Sequence, residues 1–271
     1  DQIRNTDYLT EVGKSGDVTL YENTAYVPMG FMTGSDVINS YSVSPPGNKI
    51  SYGNPFENQI NWFRAATGIE TPIYNKTEVD NVEYSAETVE IKELETDVYS
   101  LKVKSDKTDK NDEFYTEYNY TIKEDGPIYI NFRISTQFDK ITVTVNDNED
   151  DSVTVVNGTI QAVGNLKAGD KVSIRTDYKK KHTGIFKAYC YSLNKEVFDE
   201  GVKILKKGVL KTTTVTDTAV KGAVTAEKDG LLYTSLPYQA GWRAKVDGKD
   251  ADITVLGGSM IGLELTAGEH E

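Results

Sequence analysis

Few side chains in this 271-residue sequence are of types that do covalent chemistry. It holds two histidines and one cysteine, with no Gly-x-Ser-x-Gly elbow, Gly-x-Gly-x-x-Gly loop or His-Glu-x-x-His helix. A lone cysteine rules out an internal disulfide and leaves a Cys/His zinc cluster without ligands. His182 follows Lys179-Lys180-Lys181, which reads as a solvated basic hairpin tip rather than a general base or a phosphate-binding run. Cys190, in Ala188-Tyr189-Cys190-Tyr191, reads as a small apolar residue of a strand. The acidic run from Asn146 to Asp151 has oxygen ligands without EF-hand spacing. Its sixth and twelfth positions are Asp151 and Asn157 instead of Gly and Glu, so it reads as a hairpin loop. No catalytic residue, metal or cofactor is expected.

Aromatic rings remain. Trp242, Tyr238, Trp62 and Tyr118, with Tyr115 beside them, have faces suited to the C–H surface of a sugar. Core packing competes for each of them. The first four are the expected ligand-binding residues.

The elements that would position them are mostly strands. Thr88–Lys92, Tyr99–Val103, Tyr118–Ile122 and Ile141–Val145 alternate residue type with period two, the pattern of half-buried antiparallel strands. Polar turn clusters at roughly 8–12-residue spacing point to a sandwich or jelly roll. Two helices are expected. One begins at Asn54-Pro55 and stops at Gly68, with Phe56, Ile60 and Phe63 at helical spacing; the other runs from about Lys195 to Lys207 and closes at Gly208.

An internal repeat organises the rest. Asp125-Gly126-Pro127-Ile128-Tyr129 is echoed by Asp229-Gly230-Leu231-Leu232-Tyr233. Val145-Asn146-Asp147 is echoed by Val246-Asp247-Gly248, and Leu166-Lys167-Ala168-Gly169-Asp170 by Leu265-Thr266-Ala267-Gly268-Glu269. Three matches in one order imply two copies of one supersecondary unit. The expected fold is mainly β: two jelly-roll-like sandwiches with a few helices. The second copy stops at Glu271, where its equivalent of the strand from Lys171 is due, so a truncated second sandwich is expected. The chain then divides into three regions: residues 1–82 as a mixed strand and helix segment, 83–194 as the first sandwich, and 195–271 as a linking helix plus the second.

Thirty Lys+Arg against 42 Asp+Glu give a net charge of −12, which argues against nucleic acid or anionic lipid as the main partner. No run of about 18 apolar residues is present, so no membrane span is expected within the chain.

The stretch Leu236-Pro237-Tyr238-Gln239-Ala240-Gly241-Trp242-Arg243-Ala244-Lys245-Val246-Asp247-Gly248-Lys249 resembles the best-preserved soluble motif of the YfhO family of bacterial membrane proteins. Gly257–Leu263 and Leu265–His270 resemble the next stretches of that family. Leu20-Tyr21-Glu22-Asn23, Val27-Pro28-Met29-Gly30-Phe31 and the helix from Phe56-Glu57-Asn58 to Thr67-Gly68 are similar to its earlier pieces. The resemblance implies a polytopic parent with a large extracytoplasmic domain, similar to polyprenyl-phosphate-sugar-dependent glycosyltransferases that act on lipoteichoic acid or related envelope polymers. Its catalytic acids would lie in loops between membrane helices, so none is carried over to this chain. The implied partners are an envelope glycopolymer or polyprenyl-linked sugar and the membrane part of the same parent. The implied place is the extracytoplasmic face of the membrane. The competing expectation is a secreted carbohydrate-binding or adhesion module.

Overall fold

The period-two runs become antiparallel strands. The computed structural model describes residues 8–40, 53–106, 108–109, 112–135, 137–149 and 156–271. In chain order the first elements are β1 (Leu9–Ser15), β2 (Val18–Asn23), β3 (Gly30–Thr33), a 3-10 turn (Ser35–Asn39) and α1 (Pro55–Thr67). Next come β4 (Tyr74–Thr77), β5 (Asn81–Tyr84), β6 (Val89–Glu95), β7 (Val98–Val103), β8 (Tyr115–Thr121), β9 (Gly126–Ile134) and β10 (Lys140–Val145). β11 (Asn148–Glu149), β12 (Ile160–Leu166), β13 (Lys171–Asp177), β14 (His182–Leu193) and α2 (Lys195–Leu205) come after these, with a 3-10 turn at Lys206–Gly208. The chain ends in β15 (Lys211–Val215), β16 (Val220–Ala226), β17 (Gly230–Pro237), β18 (Ala244–Val246), β19 (Lys249–Ala251), β20 (Thr254–Leu256), β21 (Met260–Leu265) and β22 (Gly268–His270).

Both helices start and stop where their residues direct. Pro55 stands in the first turn, where its missing N–H costs nothing, and the Asn54 side-chain oxygen accepts from the Phe56 N–H at 3.0 Å. Gly68 ends α1 at φ +77°, with its N–H on the Arg64 carbonyl. α2 gives way at Lys206 to the 3-10 turn that closes on Gly208.

Two compact units divide the chain, and the division falls inside α1. Among the described residues, one unit holds 53–56 together with Tyr74–Asn194; the other holds Tyr8–Ser40, Glu57–Ile73 and Lys195–Glu271. The first is a sandwich of a five-stranded sheet, β11-β10-β13-β8-β5, and a six-stranded one, β12-β9-β14-β7-β6 with β4 added on β14. From β8 to β10, and again from β12 to β14, successive strands alternate between the sheets, a jelly-roll habit. Inward residues of both sheets fill the space between. Tyr118 stacks on Phe186 at 4.2 Å, and Phe186 meets Phe132 edge-on at 4.5 Å. Each such buried ring contributes about 2 kcal/mol of apolar burial.

In the second unit a four-stranded sheet, β20-β21-β17-β3, buries both faces. Phe31, Leu231 and Leu256 face Ala66 of α1 and Leu205 of α2. Their neighbours Met32, Leu232 and Leu265 face Val224 and Val246 on the other side. Period-two alternation therefore sends apolar residues to two different cores.

The repeat is a repeat of hydrogen bonds. In the first unit Leu166 pairs with Gly126, and the Asp125 carboxylate accepts the Ala168 N–H at 2.9 Å. In the second Leu265 pairs with Gly230, and Asp229 accepts the Ala267 N–H at 2.8 Å. Asn146, at φ +50°, accepts the Lys171 N–H through its side chain; Asp247, at φ +53°, accepts that of Glu271 likewise, both at 2.9 Å. Glu271 thus stands where Lys171 opens β13.

At this place the two copies differ in chemistry. Asp170, just before Lys171, accepts from the Asn146 amide. His270, just before Glu271, lies between Asp247 (2.8 Å) and the Thr266 carbonyl (3.0 Å). Both neighbours of the ring are acceptors, so the imidazolium satisfies them best. The Asp247 hydrogen bond, then the Thr266 carbonyl, raise the His270 pKa above 6.5; the Glu271 N–H and then His270 lower that of Asp247. A raised histidine contributes stability that is complete below pH 6.5 and fades as pH climbs through its folded value. The depressed Asp247 contributes above about pH 3.8 and fades as pH falls through its own folded value. Amide exchange at Glu271 should accordingly be slower, relative to the intrinsic rate, at about pH 5.5 than at about pH 8.5. Substitution His270→Asn should flatten that difference. Equal protection at the two pH values would refute it.

Candidate functional site

The structure scatters the expected aromatic residues. Tyr118 is 1% exposed inside the first sandwich, sealed by Phe186 and Tyr99, and presents no face to a ligand. Its hydroxyl and that of Tyr120 are buried with no hydrogen-bond partner among the described residues. Burial drives both phenols' pKa values far up, with neighbouring tyrosines adding to the effect on Tyr118 and Cys190 to that on Tyr120. Tyr118→Phe should therefore raise the stability of this sandwich by about 1 kcal/mol, because an unpaired buried hydroxyl is removed. A loss on denaturant titration would show that the hydroxyl has a partner. Trp62 packs edge-on against Phe31 and Tyr233 at 6.4 and 5.5 Å, so its ring is committed to the helix-side core of the second unit. Tyr115 lies under the Arg175 guanidinium, 3.8 Å from the ring centre.

Tyr238 and Trp242 alone of the set sit on a surface loop. Tyr238 is 41% exposed and donates its N–H to the Ser259 carbonyl at 2.7 Å, which ties this loop to the Gly257-Gly258 turn. Trp242 is half-buried beyond Gly241, whose φ of +108° needs a glycine.

The remaining chemical residues are structural. Cys190 is fully buried, and burial pushes its thiol up to about 12, which leaves it inert. Lys179 and Lys180 pair with Asp139 and Asp106, so two of the three lysines of the basic tip have carboxylate partners. Of the acidic run, positions 150 and 151 lie outside the described residues. Among the described residues no group of three His, Cys, Asp or Glu is placed to hold a metal.

Convergent polar groups occur elsewhere, in a cleft of about 440 Å³ in the second unit. Its walls are the end of β3 with the 3-10 turn behind it, the last turn of α1, the end of α2, and Glu227-Lys228 before β17. Gly34 makes the junction: its N–H donates to the Ala66 carbonyl at 3.3 Å, and a Cβ there would come within 2.6 Å of the Ala65 carbonyl. Arg64 makes surface contacts with two neighbours. Its guanidinium reaches the Asn61 side chain at 3.5 Å, the Glu70 carbonyl at 3.4 Å and the Glu70 carboxylate at 3.2 Å. Lys207 and Lys228 line the same cleft with no ion pair among the described residues. Asp36 and Glu227 complete a set of three cations and three carboxylates. Sequence reading missed this site because its residues come from four separate segments and form no motif. The one visible trace is the Lys206-Lys207 pair closing α2, which reads as a complement to the helix dipole.

Among the described residues no helix is long and apolar enough to cross a membrane. No curated protein matches the chain. A family model described as bacterial membrane protein YfhO matches residues 2–271. This chain belongs to the YfhO family of bacterial membrane proteins.

Proposed function

We propose that this chain is a non-catalytic, extracytoplasmic domain of a membrane protein that takes part in glycosylating lipoteichoic acid or a related envelope polymer, where it recognises the acceptor glycan. The observation that carries the reading is the family match over residues 2–271. It favours a piece of a membrane protein over a free secreted module.

The test is titration of the chain with teichoic-acid fragments, monitored by backbone amide shifts. Saturable shifts confined to one surface support acceptor recognition. No shift at millimolar fragment overturns it and leaves the bracing of the membrane part as the role. Labelling of the parent by a membrane-impermeant reagent on intact cells checks the face; protection until lysis would overturn the extracytoplasmic placement.

A further inference from the structure

We infer that the Arg64–Lys207–Lys228 cleft binds a neutral sugar unit, about one or two rings in size. The inference rests on the glycan-recognition reading and gives it a place and a ligand class. Four features of the cleft support it.

First, the volume of about 440 Å³ lies within the range of small-ligand sites, roughly 300–1,000 Å³. Second, the lining charges balance. Arg64, Lys207 and Lys228 stand against Asp36, Glu70 and Glu227, and the carboxyl ends of α1 and α2 add partial negative charge from their last carbonyls. An anion would meet no net positive field here. Hydroxyl groups, which both donate and accept, match such a mixture of donors and acceptors. Third, Arg64 contacts Asn61 and Glu70 at the surface, which sets its guanidinium at the cleft wall. Lys207 and Lys228, without partners among the described residues, are available to ligand oxygens. Fourth, Ala65, Ala66, Met32 and Ile204 supply apolar wall between the polar groups, a surface for the C–H faces of a sugar ring.

The test uses the 271-residue chain with a panel of uncharged methyl glycosides, and glycerol phosphate as the anionic probe, read by amide shifts and saturation-transfer NMR. At least one glycoside is expected to saturate shifts at residues 33–40, 61–68 and 204–208. Lys207→Ala and Arg64→Gln should each weaken it about tenfold, the effect of losing one charge-assisted hydrogen bond. Lys207 is exposed, so its variant should keep the parent's melting temperature and read binding alone. No glycoside shifting the cleft, or glycerol phosphate binding there in a salt-sensitive way, overturns the inference. The wider reading fails separately. Teichoic-acid fragments that bind away from the cleft would sink this site and leave acceptor recognition standing. Glycosides in the cleft with no fragment binding would keep the site and sink that reading.

Discussion

Replacing Lys76 by methionine is expected to destabilise the first sandwich by about 3 kcal/mol, near the lower end for breaking a buried ion pair. Lys76 lies on β4 and its ammonium reaches the carboxylate of Asp97 at 2.7 Å and that of Glu78 at 2.8 Å. Asp97 is only 5% exposed, so without the ammonium its charge is stranded away from water. It also sits at φ +61° in the two-residue turn between β6 and β7, a conformation that asparagine tolerates well. The double variant Lys76→Met, Asp97→Asn should therefore recover most of the loss. Denaturant titration of the two variants decides the matter: equal losses would mean that the charge on Asp97 is not what Lys76 offsets. Burial lowers the Lys76 pKa, but the hydrogen bonds that its ammonium donates to Asp97 and Glu78 outweigh it, and the net shift is upward from 10.5. The pair's contribution is therefore complete below pH 10.5 and is lost as pH rises through the folded value.

Gly201→Ala is expected to cost about 2 kcal/mol, although alanine is the better helix former by about 1 kcal/mol. The reason is a helix crossing. A Cβ on Gly201 of α2 would overlap the ring tip of Phe63 on α1. Phe63 is 5% exposed and stacks on Phe198 with ring centres 6.3 Å apart, so it has little room to retreat. Phe63→Leu in the same chain should restore part of the stability by opening that space. An unchanged unfolding midpoint for Gly201→Ala alone would show that the helices slide apart at no cost.

The repeated strands and both helices were legible because their cues are local. Alternation fixes β7 and β10, Pro55 and Gly68 bound α1, and the two Asp-Gly turns announce the repeat. Sheet membership was less legible. Nothing local in Gly30–Thr33 says that it joins β17, because its partner lies in a distant segment and both of its faces are buried. The aromatic residues show the limit of reading function from residue type. Tyr118 and Trp62 look like sugar platforms in sequence, but strand and helix phase turn them into cores. The cleft has the opposite character. Arg64, Asp36 and Lys228 are ordinary surface residues until the end of α1 meets the end of β3 at Gly34.

The β3–β17 pairing also sets an order of assembly during synthesis. Thr33 donates its hydroxyl to the Leu231 carbonyl, a partner 198 positions later in the chain. At about 5–20 residues per second, β3 waits roughly 10–40 s for the strand that completes its sheet. In that interval Gly30–Thr33 is an unpaired edge carrying Phe31 and Met32, while Tyr74–Asn194, made in between, holds all the strands of the first sandwich. The early segment must therefore be kept from pairing with neighbouring chains until β17 has emerged, which makes it a place where assistance by a chaperone would matter.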